Sequence, residues 1–346
     1  MTTIRQIARE AGVSVGTVSN VLNDPSVVSP ATRERVLEVM RQHNYRPSAI
    51  ARSLATGRTR TFGLIVTNIF NPFTAGLVQG ASEAAREMGC SVLIVNATLE
   101  GLDVPGQVDT LVHQWVDGIF LASQPLPDAI YSQLPFGKTP VVIMDHGQTL
   151  PDNVVGLISF DWKLAGYQAT KHLLDLGHCR IGYVGGIPGR SSTVLREEGY
   201  RLALEEAGIS FDANLRLDGN YLTEGGLQCA SALLQRPDRP TALVMANDMM
   251  ALGAYQAATK LGMHIPDDVS IVGIDDNYFG AYVSPPLTTV HVPTPELGRI
   301  GLQMLAHNTD VNISPQHVIL PTELVVRQST APRREPVLYS IGHGAP

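Results

Sequence analysis

Side chains able to hydrogen-bond or cover a small polar molecule recur in one setting in this 346-residue sequence, directly after short apolar runs. They are Asn68 to Phe73, Ser123, Asp145, Phe160 with Asp161, Asn247 with Asp248, and Asp275 with Asp276. Carboxylates and amides facing an arginine can bind neighbouring hydroxyl groups, and an aromatic face can cover an apolar ring face, which together suit a sugar or similar polyol. Any one of these Asp or Asn residues is more simply read as the cap of the following helix. Their repetition after successive runs is what points to a site. Arg196, beyond the turn Gly185-Gly186-Ile187-Pro188-Gly189, is the candidate clamp, with a solvated helix arginine as the plainer reading.

The same residue types argue against other chemistries. The Gly-rich turn lacks the Lys-Ser/Thr ending of a P-loop and the Gly-x-Gly-x-x-Gly of a dinucleotide fold. Ser191-Ser192 resembles no nucleophile elbow. The ten histidines show no His-x-x-x-His spacing, and Cys90, Cys179 and Cys229 form no Cys-x-x-Cys pair. No catalytic residue, metal or cofactor is therefore expected, nor an enzyme. No apolar run approaches the roughly 20 residues of a membrane span, and the N-terminus carries no secretory stretch, so a cytoplasmic protein without membrane contact is expected.

Charge divides the chain. Residues 1–60 hold nine arginines, no lysine and four acids, a net of +5, whereas the remaining 286 residues hold 16 basic and 28 acidic side chains, a net of -12. A basic head before an acidic body suggests a polyanion-binding segment, since each cation placed on a phosphate releases a counterion. Within that head, Ile4, Ile7, Ala8 and Ala11 share a helical face that Gly12 ends. Ser14 caps a second helix with Val18, Val21 and Leu22 inward and Val15, Gly16, Ser19 and Asn20 outward. Two helices joined by a tight glycine turn form a helix-turn-helix candidate. Ser29-Pro30 opens a third helix, which Asn44 to Pro47 ends. The short segment Ser48 to Ala55 is too brief to be helical alone and would form with a partner or on DNA, the plainer reading being a linker.

After Arg60 the pattern changes to apolar runs alternating with amphipathic helices, which predicts doubly wound α/β sheets. Phe62–Val66, Val92–Val95, Gly118–Leu121 and Val141–Met144 read as buried strands of a first series. Val155–Ile158, Ile181–Val184, Ala242–Met245 and Val269–Gly273 read as a second, with helices such as 165–176, 196–207 and 249–261 between them. Segments 62–95 and 181–217 repeat one order of strand, Pro-bearing loop, helix ending in Met-Gly or Ala-Gly, and strand. Two similar lobes are expected, with a ligand in the cleft at the carboxyl ends of their strands. Pro332 to Pro346 reads as an uncovered tail.

Carried on Thr3 to Ser19, Val21-Leu22-Asn23, Val28-Ser29, Thr32 to Val36 and Tyr45-Arg46-Pro47, the head resembles that of the lactose and galactose repressor family of bacterial transcription regulators. Asn71-Pro72-Phe73, Leu176-Gly177-His178, Ala246-Asn247-Asp248, Val272 to Asp276 and Pro286 to Val290 extend the likeness to about Gln328. The resemblance implies an α/β fold with an N-terminal three-helix DNA-binding head, a hinge helix and two Rossmann-like lobes of periplasmic-binding-protein type. The implied division is 1–46 for the helix-turn-helix domain, 47–60 for hinge and linker, 61–330 for effector binding and dimerisation, and 331–346 for the tail. Within 61–330 the N-lobe would take about 61–160 and 292–321, and the C-lobe about 161–291 and 322–330.

By the same resemblance a homodimer binds double-stranded, pseudo-palindromic operator DNA as a repressor under the control of a small-molecule effector. Val15, Gly16 and Asn20 fall on its base-reading positions, with Thr3, Ser14, Thr17, Ser19, Asn23 and Tyr45 near phosphates or supporting the helix. Ser48, Ala51 and Leu54 fall on the hinge, Leu54 as a minor-groove wedge. Gly16 has no side chain to read with, and Asn20 stands where the family often has arginine, an exchange that suits adenine better than guanine. The implied effector positions are Phe73, Ser123, Asp145, Phe160, Ser192, Arg196, Tyr221, Asn247 and Asp275. They suit a sugar-like effector, and a sandwich of Phe73, Phe160 and Tyr221 would also suit a nucleobase or nucleoside. A small-molecule binding or transport module is the rival class.

Overall fold

The computed structural model describes residues 2–45, 53, 56–98, 102–122, 128–131, 133–145, 150–307 and 315–333. The chain forms two compact units, residues 1–60 and 61–346. Ser48, Ala51 and Leu54 lie outside the described residues, as do Ser123 and the segment from 334 onward.

In the first unit, α1 (Ile4–Glu10), α2 (Val15–Asn23) and α3 (Pro30–Gln42) each begin at a hydroxyl cap. Thr3, Ser14 and Ser29 accept the backbone N–H groups of Gln6, Thr17 and Thr32, satisfying donors a helix start leaves unpaired. Gly12, at φ +62°, makes the turn between the first two helices. Ile7, Ala8, Ala11, Val18, Val21, Val36 and Met40 are buried where the three helices meet. Glu10 of α1 pairs with His43 beyond α3, and the Gln6 amide and this histidine hold its carboxyl below the usual range.

The second unit contains two six-stranded sheets. The first is built from β1 (Thr61–Thr67), β2 (Ser91–Ala97), β3 (Ile119–Ala122), β4 (Val141–Met144), β5 (Val154–Phe160) and β11 (Gln316–Leu320). Its order is β11-β5-β4-β3-β1-β2, and every pairing is parallel. The second holds β6 (Ile181–Gly185), β7 (Arg216–Asp218), β8 (Ala242–Met245), β9 (Ser270–Asp275), β10 (Thr288–His291) and β12 (Glu323–Val325). Its order is β12-β10-β9-β8-β6-β7, antiparallel only between β10 and β12. Strands β3, β4 and β8 are buried throughout, as parallel strands covered on both faces must be.

Two readings of the sequence change here. Val155–Ile158, grouped with the second series, belongs to β5 of the first sheet, because a buried apolar run carries no mark of which sheet it joins. Val92–Val95, expected buried, is the edge strand β2 and leaves Leu93 and Ile94 exposed. The start of the expected tail is also tied down: Ala331 N–H donates to Ser270 Oγ at 3.1 Å and Arg333 N–H to the Leu176 carbonyl at 2.8 Å.

The chain passes between the sheets after β5, after β10 and between β11 and β12. These crossings are bonded to one another. Asp161 N–H donates to the Leu320 carbonyl at 3.1 Å, and His291 and Val290 pair with Glu323 and Leu324.

Helices α4 (Pro72–Glu87), α5 (Val104–His113), α6 (Trp162–Asp175), α7 (Ser191–Glu206), α8 (Thr223–Leu234), α9 (Asp248–Lys260) and α10 (Thr294–His307) flank the sheets. Helices α6 and α7 touch backbone to backbone: a Cβ on Gly166 would lie 2.0 Å from the Arg196 carbonyl oxygen, and one on Gly199 2.0 Å from that of Lys163. Gly199→Ala is therefore expected to force these helices apart and to cost about 1–3 kcal/mol of stability, read by denaturant unfolding. Gly16 in α2 is the opposite case, since a Cβ there would meet only Ser14 Oγ at 3.6 Å. Gly16→Ala is expected to stabilise the head by up to about 1 kcal/mol, seen as a higher midpoint of its thermal unfolding.

Candidate functional site

In the head, α2 presents Val15, 42% exposed, with Gly16 and Asn20 as a contiguous solvent face, while Val18 and Val21 fill the core behind it. Ser14 and Thr17 flank that face and are bonded to each other, Oγ to Oγ1 at 2.9 Å. Ser19 is half-buried, and Tyr45 rests against the head's core. Thr3 is committed to capping α1. Asn23 is the last residue of α2, and its side chain is outside the described residues.

In the second unit the carboxyl ends of the two sheets' strands face a narrow void, a cavity of about 30 Å³. Phe73, Asp145, Ser192, Arg196, Tyr221, Asn247 and Asp275 line it, together with Asn71, Met144 and Trp162. Seven sequence-derived residues thus meet in one place. Phe160 does not line the void: it is buried beneath the lining, 5.0 Å from the Trp162 ring and 6.1 Å from Phe73, both edge to face. Trp162 holds the position expected of it. The sequence gives little sign of this, since Trp162 reads simply as the first residue of a helix capped by Asp161.

Arg196 is the centre of the arrangement. It is only 4% exposed, and its guanidinium carbon lies 3.7 Å from the centroid of the Trp162 ring. One terminal nitrogen donates to the Tyr221 hydroxyl at 2.9 Å and, more weakly, to the Ser192 carbonyl at 3.4 Å. Its Nε is buried and has no hydrogen-bond partner among the described residues. Tyr221 stands at φ +62° with its hydroxyl also bonded to Thr193 Oγ1 at 2.7 Å. Its ring occupies the space where a Cβ on Gly186 would sit, 1.9 Å away, so the Gly-rich turn serves aromatic packing and not a phosphate.

The carboxylates divide by role. Asp145, at φ +51° past β4, receives hydrogen bonds from Ser159 Oγ and, at 2.8 Å, from Trp162 Nε1. Asp275 ends β9; burial pushes its pKa up to about 7, and Arg196 opposes the shift. Asp248 lies fully buried, accepting from Thr289 Oγ1 at 2.6 Å and Asn277 N–H at 2.7 Å. Burial raises its pKa too, with Asp275 adding to the effect. Asp276 is turned away from this pair, bonded by His291 and Arg327, which hold it below the ordinary carboxylate range. The capping reading holds for Asn71, Asp161 and Asn247, each accepting from a backbone N–H of its helix. Asn247 does both, since its amide also donates to the Tyr221 carbonyl at 3.1 Å.

The arrangement offers oriented donors and acceptors on opposite sides of a narrow cleft, with rings between them. Among the described residues no three His, Cys, Asp or Glu side chains gather to hold a metal, and no helix is long and apolar enough to cross a membrane.

Known proteins carry the same plan. Residues 3–48 match the model of bacterial regulatory proteins of the lacI family, and residues 170–330 that of a periplasmic binding protein-like domain. The chain is 36% identical over 334 residues to the HTH-type transcriptional repressor PurR of Haemophilus influenzae, covering 95% of this chain and 98% of that one. It is 35% identical over 334 residues to the ribose operon repressor of Escherichia coli, covering 95% and 100%. The crystal structure of the lac repressor dimer bound to operator and the anti-inducer ONPF superposes with a TM-score of 0.84 at 29% identity, covering 95% and 99%. With likeness at this level along nearly its whole length, the chain belongs to the LacI family of bacterial regulatory proteins, helix-turn-helix transcriptional repressors.

Proposed function

We propose that this chain represses transcription as a cytoplasmic homodimer on a pseudo-palindromic operator, and that a sugar or sugar derivative in the cleft alters its affinity for DNA. The observation that carries the effector class is the use already made of the aromatic rings. One face of Trp162 is covered by the Arg196 guanidinium, Phe160 is buried below it, and the Tyr221 hydroxyl is engaged by Arg196 and Thr193. Of the three rings expected to sandwich a flat nucleobase, Phe160 is buried below the lining, and Phe73 and Tyr221 reach the void. Also at the void is Arg196 with carboxylates on both sides, Asp145 from the first lobe and Asp275 from the second, which can share the donors and acceptors of neighbouring hydroxyls. Ser192 and Asn247 line the same space, and the cleft calls for no enzymatic group.

The head's exposed α2 face fits the major groove, with Asn20 and Val15 as base contacts and basic residues on phosphates. The exposed edge of β2, with Leu93 and Ile94, fits the meeting of two copies. The effector acts by its different affinity for two lobe arrangements, a coupling of about 1–3 kcal/mol in regulators of this kind.

Selection of genomic fragments by the purified protein tests the reading: one enriched pseudo-palindrome, lost when residues 1–60 are deleted, is the expected result. On that operator, D-ribose is expected to change the affinity where hypoxanthine does not. Arg196→Ala is expected to weaken effector binding on the order of 10- to 100-fold by removing a charged hydrogen-bond donor, with operator binding retained in gel-shift titration.

Asp275 also makes stability depend on pH. An unfolded aspartate releases its proton near pH 4, at about 3.9. The folded chain keeps that proton to about pH 7. Its contribution is therefore whole below about pH 4 and is lost as pH rises through about 7. Unfolding measured across this window is expected to show a decline in the native chain relative to Asp275→Asn, and parallel curves would show that the carboxyl is ionised throughout.

A further inference from the structure

Trp162 touches both charged sides of the cleft. Its indole N–H donates to Asp145, which follows β4 in the first sheet and is held there by its own N–H bond of 3.1 Å to the Ile158 carbonyl. The π-face of the same ring carries Arg196, which stands on α7 in the second lobe. The ring is 2% exposed and edge-packed by Phe160, so it has a single orientation. The two interactions strengthen each other. An N–H donating to a carboxylate enriches the indole ring in electron density, and a richer ring attracts the cation more strongly; the cation in turn sharpens the N–H as a donor.

We infer that Trp162 is a positioning residue that couples Asp145 of one lobe to Arg196 of the other, so that a ligand engaging either charged group alters the hold on both. The inference rests on the effector cleft proposed above, but the coupling exists without a ligand and can be tested without one. Trp162 and Trp115 are the only tryptophans in the chain, and Trp115 is 77% exposed. In full-length Trp115→Phe protein the sole indole ¹H–¹⁵N resonance therefore reports Trp162.

That resonance is expected to be protected from solvent exchange and displaced from the free-indole position. Asp145→Asn should shift it, and so should Arg196→Met, although Arg196 does not bond the N–H. A resonance that exchanges freely, or that is indifferent to Arg196→Met, would overturn the coupling. D-ribose affinity supplies the second arm. Trp162→Phe is expected to weaken binding on the order of tenfold, and combining it with Asp145→Asn should cost clearly less than the two single losses multiplied together. Full multiplicativity would overturn the coupling as well. If D-ribose has no effect on operator binding while both indole shifts appear, the coupling stands and the sugar reading fails.

Discussion

Withdrawing a guanidinium from water costs several kcal/mol unless its surroundings replace the lost hydration. Arg196 meets part of that requirement through partners drawn from several parts of the second lobe: the Trp162 ring beneath it, the Tyr221 hydroxyl beside it and the Ser192 carbonyl one turn back. Much of the local backbone follows from this need. Helices α6 and α7 approach so closely at Gly166 that the backbone of Arg196 lies against α6, which brings its side chain over the first residue of that helix. Tyr221 adopts a left-handed backbone and takes the space above Gly186, setting its hydroxyl within reach of the same cation.

The floor of the cleft obeys a related rule. Two aspartates close to one another in a dry interior cannot both be charged without cost. Asp248 is surrounded by donors it fully uses, while Asp275 is left facing the cation and the void. A buried polar layer of this sort separates the apolar core of the second sheet from the ligand side. Its neighbour Asp276 is kept out of the layer by its ion pairs with Arg327 and His291.

Much of this was legible in the residues, for physical reasons that also mark its limits. Asp145, Asn247 and Asp275 stand at the ends of apolar runs, and strand ends in doubly wound sheets face a common cleft, so their convergence could be read from position alone. Helix caps were legible at Ser14 and Ser29 because each acts within three residues of itself. Trp162 was not, since its importance lies in partners 17 residues before it and on another helix, and local pattern says nothing of either. Phe160 misled for the complementary reason: strand alternation gives a face, but which aromatic is covered by the next depends on packing. The edge position of β2 was hidden because Val, Leu and Ile suit a strand whether a neighbouring strand, a second copy or nothing covers it.

Three crossings join the lobes, and the bonds between Asp161 and Leu320 and between β10 and β12 gather them into one strip of backbone. Such a strip resists shear and extension far more than bending. On the proposed function the lobes would then share one soft coordinate, an angle about the strip, and a ligand at the cleft would be read out as a rotation whose displacement grows with distance from that axis. Mechanical gain of this kind requires no chain of coupled side chains leading outward, only rigid lobes and a pivot that does not yield.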